Sequence, residues 1–333
     1  MTRSSMTVGR RSSTAGRCEK SSRDAAQNPG KQYLAPFPRV RPGSNVNNSM
    51  PVHAGVLEGL SLVDDEVRFA ADLYQGTAGY YDRYRLPYPE AMIEDLARTA
   101  QLSGRGRLLD LACGTGQLTF PLHQRFAEVW AVDQEPDMVE VVRVKAAAAG
   151  ADNVRPIVAS AETLHAAAGH FELAVIGNAF HRLDRDLAAR RIHGWLQPGG
   201  HLALCWSSTP WIGEARWQQA LATTLDKWKA ALGAGPRIPA GWELARQRRP
   251  DSRVLSDAGF QVAGSRQFAV EHRWTLPELA GFIRSTSFLP AAVLGDQAGA
   301  FDADLAARLG PHSDTGTFTE TVSFFCELAQ KPH

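Results

Sequence analysis

The residues best suited to chemistry are two carboxylates and a glycine turn. Asp110 lies in the apolar run Arg107–Leu111, and the turn Cys113-Gly-Thr-Gly116 follows directly. Asp133 ends the second apolar run, Glu128–Asp133. Glycine lacks a Cβ and adopts positive φ, so a ligand can lie directly on such a turn. Because a carboxylate at the tip of a second strand can hold a ribose diol, the pattern indicates a nucleoside ligand.

Two other ligand classes that use glycine turns fit this sequence poorly. A nucleoside triphosphate loop requires Gly-Lys-Ser/Thr, but Gly116 is followed by Gln117 and Leu118, which excludes it. A dinucleotide fingerprint has a third glycine three residues after the second, where this chain has Thr119. The nicotinamide interpretation is therefore weakened.

The segment Asp110-Leu-Ala-Cys-Gly-Thr-Gly116, followed by Ala131-Val-Asp133, resembles motifs I and II of class I methyltransferases that use S-adenosylmethionine. The resemblance implies a Rossmann-like α/β fold, a mixed seven-stranded sheet with helices on both faces. It also implies that the backbone from Cys113 through Gly114 to Gly116 passes under the methionine half of the cofactor. Asp110 would brace the turn and the cofactor's amino group, and Asp133 would bind the ribose. The product would be S-adenosylhomocysteine.

The same resemblance assigns further cofactor contacts around these motifs. The aromatic and arginine-rich segment 76–89 resembles a lid that closes over the cofactor, although its tyrosines could instead pack on the core. Within this segment, Arg85 is suited to the methionine carboxylate. The other implied contacts come from residues at or after the ends of the second, third and fourth strands. The residues implied are Tyr81, Arg85, Gln134, Met138, Ala161, Glu162 and Asn178.

His181 is the candidate catalytic residue. It lies just after the fourth strand, and ligands in open α/β sheets lie outside the carboxyl ends of the strands. Its ordinary pKa is near neutral, so it could take a proton from an amine. The alternative is that it only packs at the strand end. Candidate acceptor-binding residues are Asp82, Tyr84, Asp184, Trp206 and Trp211.

The acceptor hypothesis depends on tryptophans and on three segments. Tryptophan presents flat apolar faces to sugar rings and attracts cations. The segments Phe180–Arg185, Arg237–Trp242 and Arg284–Pro290 resemble the aminoglycoside N-methyltransferases of gentamicin biosynthesis, which methylate an amine at the 3″ position of a sugar. This resemblance implies an N-methyltransferase acting on an aminated sugar in antibiotic biosynthesis.

Two alternatives remain open. The lid and the Phe-His strand tip also resemble carboxyl or hydroxyl O-methyltransferases of the trans-aconitate type. Such enzymes need a basic pocket, which Arg85, Arg182, Arg273 and Arg284 could supply. The third hypothesis is a cofactor-binding regulator without turnover.

Composition narrows the class of protein and of partner. The chain has 333 residues, 44% of them hydrophobic, and a formal net charge of +1, which gives no support to a nucleic-acid partner. Its 4 cysteines form no CxxC pair, which argues for a reducing, cytoplasmic compartment. No histidine cluster indicates a metal, and no apolar run is long enough for a membrane span. A homodimer is compatible with the sequence, but no segment requires one.

The expected organisation is a disordered tail over 1–60 and a methyltransferase domain over 61–333, with a helical insertion at 208–250 capping the acceptor site. A turn is expected at Pro198–Gly200. Helices are expected at Glu66–Tyr74, Pro89–Ala100, Pro136–Ala149, Asp184–Leu196, Val254–Gly259, Leu276–Ser287 and Asp302–Leu309. Strands are expected at Glu128–Asp133, Asn153–Ser160, Phe171–Asn178, His201–Ser207, Gln261–Trp274 and Thr317–Leu328, besides the motif strand.

Overall fold

The structure, a computed structural model, describes residues 69–70 and 72–333. The tail predicted over 1–60 lies outside these residues, as does the first part of the helix predicted from Glu66 to Tyr74. Residues 72–76 form a turn, so the helix prediction is wrong there. The amide of Gln75 donates to the carbonyl of Asp72 at 3.2 Å, and Gly76 has φ 74°, a conformation that does not continue a helix.

A seven-stranded mixed sheet forms the centre of the fold and confirms the predicted fold class. The strand order is β3-β2-β1-β4-β5-β7-β6. The first five strands in this order pair in parallel, whereas β7 runs antiparallel to both neighbours. The strands are β1 Arg107–Leu111, β2 Glu128–Asp133, β3 Val154–Val158, β4 Phe171–Gly177, β5 Leu196–Ser207, β6 Gln261–Thr275 and β7 Thr317–Gln330.

Helices cover both faces of the sheet because its central strands are apolar on both sides. On β1, Leu108 packs with the helices on one face, and Leu109 packs with those on the other. The helices are α1 Ala78–Tyr84, α2 Glu90–Thr99, α3 Thr119–Leu122, α4 Pro136–Ala149, α5 Arg185–Trp195, α6 Arg216–Ala231, α7 Trp242–Arg248, α8 Asp251–Asp257, α9 Leu276–Arg284, α10 Ala291–Leu294 and α11 Ala298–Leu309.

A third apolar cluster joins the insertion to the far end of the sheet. Trp217 and Trp228 of α6 are buried there with Trp274 at the end of β6. Helices α9 and α11 complete the cluster, and the Trp228 indole donates to Asp304 at 2.8 Å. The helical content predicted for 208–250 is present as α6 and α7, and these tryptophans of α6 are core residues.

Several predicted boundaries differ from the structure, among them that of α8, which begins at Asp251 and not at Val254. Strand β5 begins at Leu196, and its pairing with β4 jumps from Leu196 to His201, so the expected turn Pro198–Gly200 lies in an excursion within the strand. Gly199 at φ 76° permits it. Helix α9 ends at Arg284, before the predicted Ser287, and α11 begins at Ala298, before the predicted Asp302.

Candidate functional site

The turn after β1 is built on left-handed backbone. Gly114 has φ 54° and Gly116 has φ 87°. A Cβ on Gly116 would lie 2.6 Å from the Phe120 ring, so glycine is needed there. Ala112 also has φ 56°, and Asn178 at the tip of β4 has φ 52°. Such conformations are costly outside glycine and concentrate at functional sites.

Asp133 ties the turn to the end of β2. Its carboxylate accepts hydrogen bonds from the amide of Gly114 at 2.8 Å and the amide of Glu135 at 3.0 Å. Burial raises the pKa of this carboxyl, and these amide donors oppose the rise. The carboxylate therefore holds the glycine turn in place, and Asp133 also lines a cavity.

A cavity of about 310 Å³ opens over the carboxyl ends of β1, β2 and β4. The size and the mixture of apolar and polar groups suit a nucleoside ligand. Eight of the predicted cofactor residues line it: Tyr81, Gly114, Asp133, Gln134, Met138, Ala161, Glu162 and Asn178.

A smaller pocket of about 20 Å³ adjoins the large cavity. The two share Tyr81, Ala112, Gly177 and Asn178, so these residues separate one space from the other. The predicted cofactor residues Arg85, Asp110 and Cys113 line this smaller pocket and not the larger one, whereas Gly116 lines neither.

Tyr81 and Tyr88 supply hydroxyl groups at this boundary. The ring of Tyr81 lies over Gly114, where a Cβ would be 3.3 Å from it. The Tyr88 hydroxyl accepts from Asn178 Nδ2 at 3.2 Å and donates to the carbonyl of Cys205 at 3.4 Å. Burial raises the pKa of both phenols, so both stay protonated at neutral pH.

Asp110 is buried behind the turn. Its carboxylate accepts from the Thr119 hydroxyl at 2.6 Å, which braces the start of α3 against β1. Burial raises the pKa of Asp110 to about 7, and the hydrogen bond from Thr119 opposes that rise. An acid with this pKa would ionise most readily beside a cationic group of a ligand.

Arg85 is already engaged within the protein. Its Nε donates to the Ser285 hydroxyl at 2.8 Å, and its Nη2 donates to the Ser285 carbonyl at 3.0 Å. The guanidinium also lies between the rings of Tyr81 and Phe282, 4.8 and 4.7 Å from their centroids. These contacts fasten the lid segment to the loop after α9.

His181 is enclosed by aromatic rings and lines neither of the two pockets. Its ring lies 5.1 Å from that of Trp242 and 6.0 Å from that of Phe69. Burial, followed by the charges of Arg182, Arg246 and Arg185, holds the pKa of His181 well below its ordinary value. The imidazole is therefore neutral at pH 7, the form that can accept a proton.

The predicted acceptor-binding residues are dispersed, and none lines either pocket. Asp82 pairs with Lys145 at 2.7 Å, and Asp184 caps α5 by accepting from the Leu187 amide at 2.9 Å. Trp206 stacks on Phe325, Trp211 packs against Phe282 and Phe288, and Tyr84 stacks on Tyr80.

Sequence reasoning missed several residues that line the large cavity. Phe69, Leu73 and Tyr74 form its cover, and Glu135 lies beneath them. Oε1 of Glu135 is buried and has no hydrogen-bond partner within the described residues, and burial raises its pKa to about 7. The nearby Asp137 accepts from the Gly76 amide at 3.0 Å, which fixes the cover to the start of α4. Ala112 and Glu135 carry no signal in a single sequence, but the aromatic residues before the lid could have been considered.

Comparison with known proteins points to the same class of site. Residues 108–200 match a family model described as a methyltransferase domain. An uncharacterized methyltransferase of Mycobacterium tuberculosis is 31% identical over 135 residues, which are 40% of this chain and 52% of that protein. An uncharacterized methyltransferase of Schizosaccharomyces pombe is 29% identical over 137 residues, 40% of this chain and 53% of that protein. The chain thus spans about half the length of these curated relatives.

Solved structures are similar only at low sequence identity. The YcgJ protein of Bacillus subtilis has a TM-score of 0.47 and 16% identity, with 74% of this chain and 100% of that chain covered. Geranyl diphosphate C-methyltransferase of Streptomyces coelicolor, solved with S-adenosylhomocysteine, has a TM-score of 0.39 and 15% identity, with 72% and 75% covered.

Residues 108–200 thus match a methyltransferase domain, and the strand order and the glycine turn agree with a site for S-adenosylmethionine. The chain's groups fit this cofactor: a carboxylate at the tip of β2, a turn without side chains, and an adjoining cavity. Among the helices that the structure describes, none has the length and apolarity to cross a membrane.

Proposed function

We propose that the chain is an S-adenosylmethionine-dependent methyltransferase of a small-molecule acceptor. The observation that supports the proposal is the position of Asp133. Its carboxylate accepts a hydrogen bond from the Gly114 amide in the glycine turn, and the residue lines the large cavity that adjoins a second pocket. In this arrangement Asp133 would hold the ribose, and the backbone near Gly114 would support the amino-acid half. Tyr81, Ala112, Gly177 and Asn178 line both spaces, so the transferred group would pass among them.

The chain contributes alignment and exclusion of water. When bound, S-adenosylmethionine supplies a methyl group on a sulfonium, a good leaving group. Alignment alone can supply much of the rate enhancement in such a displacement. The covering rings of Phe69 and Tyr74 exclude water from the large cavity, and the protonated hydroxyl of Tyr81 can orient an acceptor at the boundary.

As the acceptor we propose an amino group of an aminoglycoside sugar. Support comes from the segments Phe180–Arg185, Arg237–Trp242 and Arg284–Pro290, which resemble aminoglycoside N-methyltransferases. The ring of Trp242 beside His181 offers an apolar face of the kind that sugars stack on. His181, neutral at pH 7, is the proposed base for the amine proton, reached after the cover formed by Phe69 shifts.

An O-methyl acceptor is the second candidate. The predicted acidic partners of an ammonium, Asp82 and Asp184, already have partners and line neither pocket, whereas the cation Arg182 lines the large cavity. A pocket with a cation at its wall favours an acceptor carboxylate. A carboxylate needs no base, so this candidate predicts that turnover does not depend on His181.

The test is mass spectrometry of purified protein with S-adenosylmethionine and two panels of acceptors, aminoglycosides with free amines and small polycarboxylates. A methyl gain on an aminoglycoside supports the amine proposal, and a gain on a polycarboxylate replaces it with the O-methyl candidate. Binding of S-adenosylhomocysteine without any product would favour a regulator. No binding at all would refute the proposed function.

A further inference from the structure

Arg182 carries donor groups that the protein itself leaves unused. It lies in the short helical turn between β4 and α5 and lines the large cavity. Its Nε and Nη1 are buried and have no hydrogen-bond partner among residues 69–70 and 72–333. Only Nη2 has a protein acceptor, the Ser287 hydroxyl at 3.4 Å. Buried guanidinium donors are costly to leave without acceptors, so this arrangement anticipates a ligand.

The surroundings hold the guanidinium in position without neutralising it. Its Cζ lies 4.7 Å from the Tyr74 ring centroid and 5.3 Å from that of Phe69. These ring faces stabilise a cation and restrict its orientation, but they accept no conventional hydrogen bond. The group is thus fixed beneath the cover of the cavity, and no carboxylate among residues 69–70 and 72–333 forms an ion pair with it.

The neighbouring arginines differ in this respect. Arg237 donates from Nε to the Ser287 carbonyl at 2.7 Å and from Nη2 to the Leu73 carbonyl at 3.2 Å, and it lines neither pocket. The guanidinium of Arg85 already donates two hydrogen bonds to Ser285. Both therefore serve the packing of the loop 285–287, whereas Arg182 lines the large cavity and has two donors without a partner among the described residues.

We infer that Arg182 is the carboxylate receptor of this site. A carboxylate accepts several hydrogen bonds and carries the charge that would compensate the guanidinium. Two sources exist: the amino-acid carboxylate of the cofactor, or a carboxylate on the acceptor. The inference rests on the proposed function and deepens it, because it replaces Arg85 with Arg182 as the group that recognises an anion.

The experiment measures binding by calorimetry for the wild-type protein, Arg182→Gln and the matched control Arg237→Gln. The probes are S-adenosylhomocysteine and 5′-methylthioadenosine, which lacks the amino-acid group, then trans-aconitate and its trimethyl ester in the presence of the nucleoside. Arg237→Gln removes a guanidinium that donates to the same loop and to the cover, so it reports any structural loosening.

If the cofactor supplies the carboxylate, Arg182→Gln weakens S-adenosylhomocysteine by at least about tenfold and leaves 5′-methylthioadenosine unchanged. If the acceptor supplies the carboxylate, Arg182→Gln weakens the binding of trans-aconitate by a similar factor and leaves the binding of the ester unchanged. Arg237→Gln reproduces neither selective loss.

The inference is overturned if Arg182→Gln weakens the binding of charged and uncharged probes equally, or if it weakens the binding of none of them. A wild-type protein that binds no S-adenosylhomocysteine would instead contradict the proposed function, and trans-aconitate would still decide the role of Arg182.

Discussion

Replacement of Asp133 by alanine tests the cofactor site most directly. The carboxylate accepts from the amides of Gly114 and Glu135, and Asp133 lines the large cavity. Two hydrogen bonds from ribose hydroxyls to a charged acceptor contribute roughly 1.5–3 kcal/mol each. We therefore expect Asp133→Ala to raise the Kd of S-adenosylhomocysteine by about 10²–10⁴.

Isothermal calorimetry measures this Kd, and circular dichroism checks that the variant is folded. Glu128→Ala, at the other end of the same strand, is the control and should leave the Kd unchanged, because Glu128 pairs with Arg107 and Arg155. A 2′,3′-dideoxy analogue of the ligand should lose little further affinity in Asp133→Ala. Two results would refute the assignment of Asp133 to the ribose. In one, Asp133→Ala weakens the binding of S-adenosylhomocysteine by less than about fivefold. In the other, it weakens the binding of the dideoxy analogue by the same factor as that of S-adenosylhomocysteine.

Three further results are expected. Because burial raises the pKa of Asp110 to about 7, its carboxyl binds a proton more tightly when folded, so the contribution of Asp110 to the free energy of unfolding falls as pH rises from about 4 to 7. Asp110→Asn should remove that fall in urea unfolding and gain up to about 4 kcal/mol at pH 8, whereas an unchanged pH profile would contradict the shift. Gly116→Ala should lower the free energy of unfolding by more than Gly150→Ala. Positive φ costs alanine about 1–2 kcal/mol at either position, but only at Gly116 would the added Cβ also clash with Phe120. With an amine acceptor, His181→Gln should lower kcat by about 10² with the Kd of S-adenosylhomocysteine unchanged, and a change of only a few-fold would exclude it as the base.

Local sequence features predicted eight of the residues that surround the large cavity. Gly114 and Asp133 are constrained by backbone conformation and by their positions at strand ends, and both properties can be recognised in a single chain. The mixed seven-stranded sheet was expected from the resemblance of these motifs to class I methyltransferases, whereas the strand order was read from the structure. The apolar strands of this sheet are buried on both faces, which makes their pattern unambiguous.

The other half of the site depends on distant contacts. Arg85 looked available for a carboxylate, but its partner Ser285 lies 200 residues further along the chain. Asp82 and Asp184 looked free to meet an ammonium, but a lysine of α4 and the start of α5 use them. Nothing local distinguishes a paired arginine from an unpaired one, so the role inferred for Arg182 required the three-dimensional structure.

The position of β7 has a consequence for how the protein is made. This strand, Thr317–Gln330, pairs on one side with β5 and on the other with β6, although both precede it in the chain. Until β7 has been synthesised, β5 has an unpaired edge and β6 has no strand to join. The growing chain therefore carries two open strand edges between the synthesis of β6 and that of β7, and association of these edges between nascent chains competes with correct folding until β7 inserts between them.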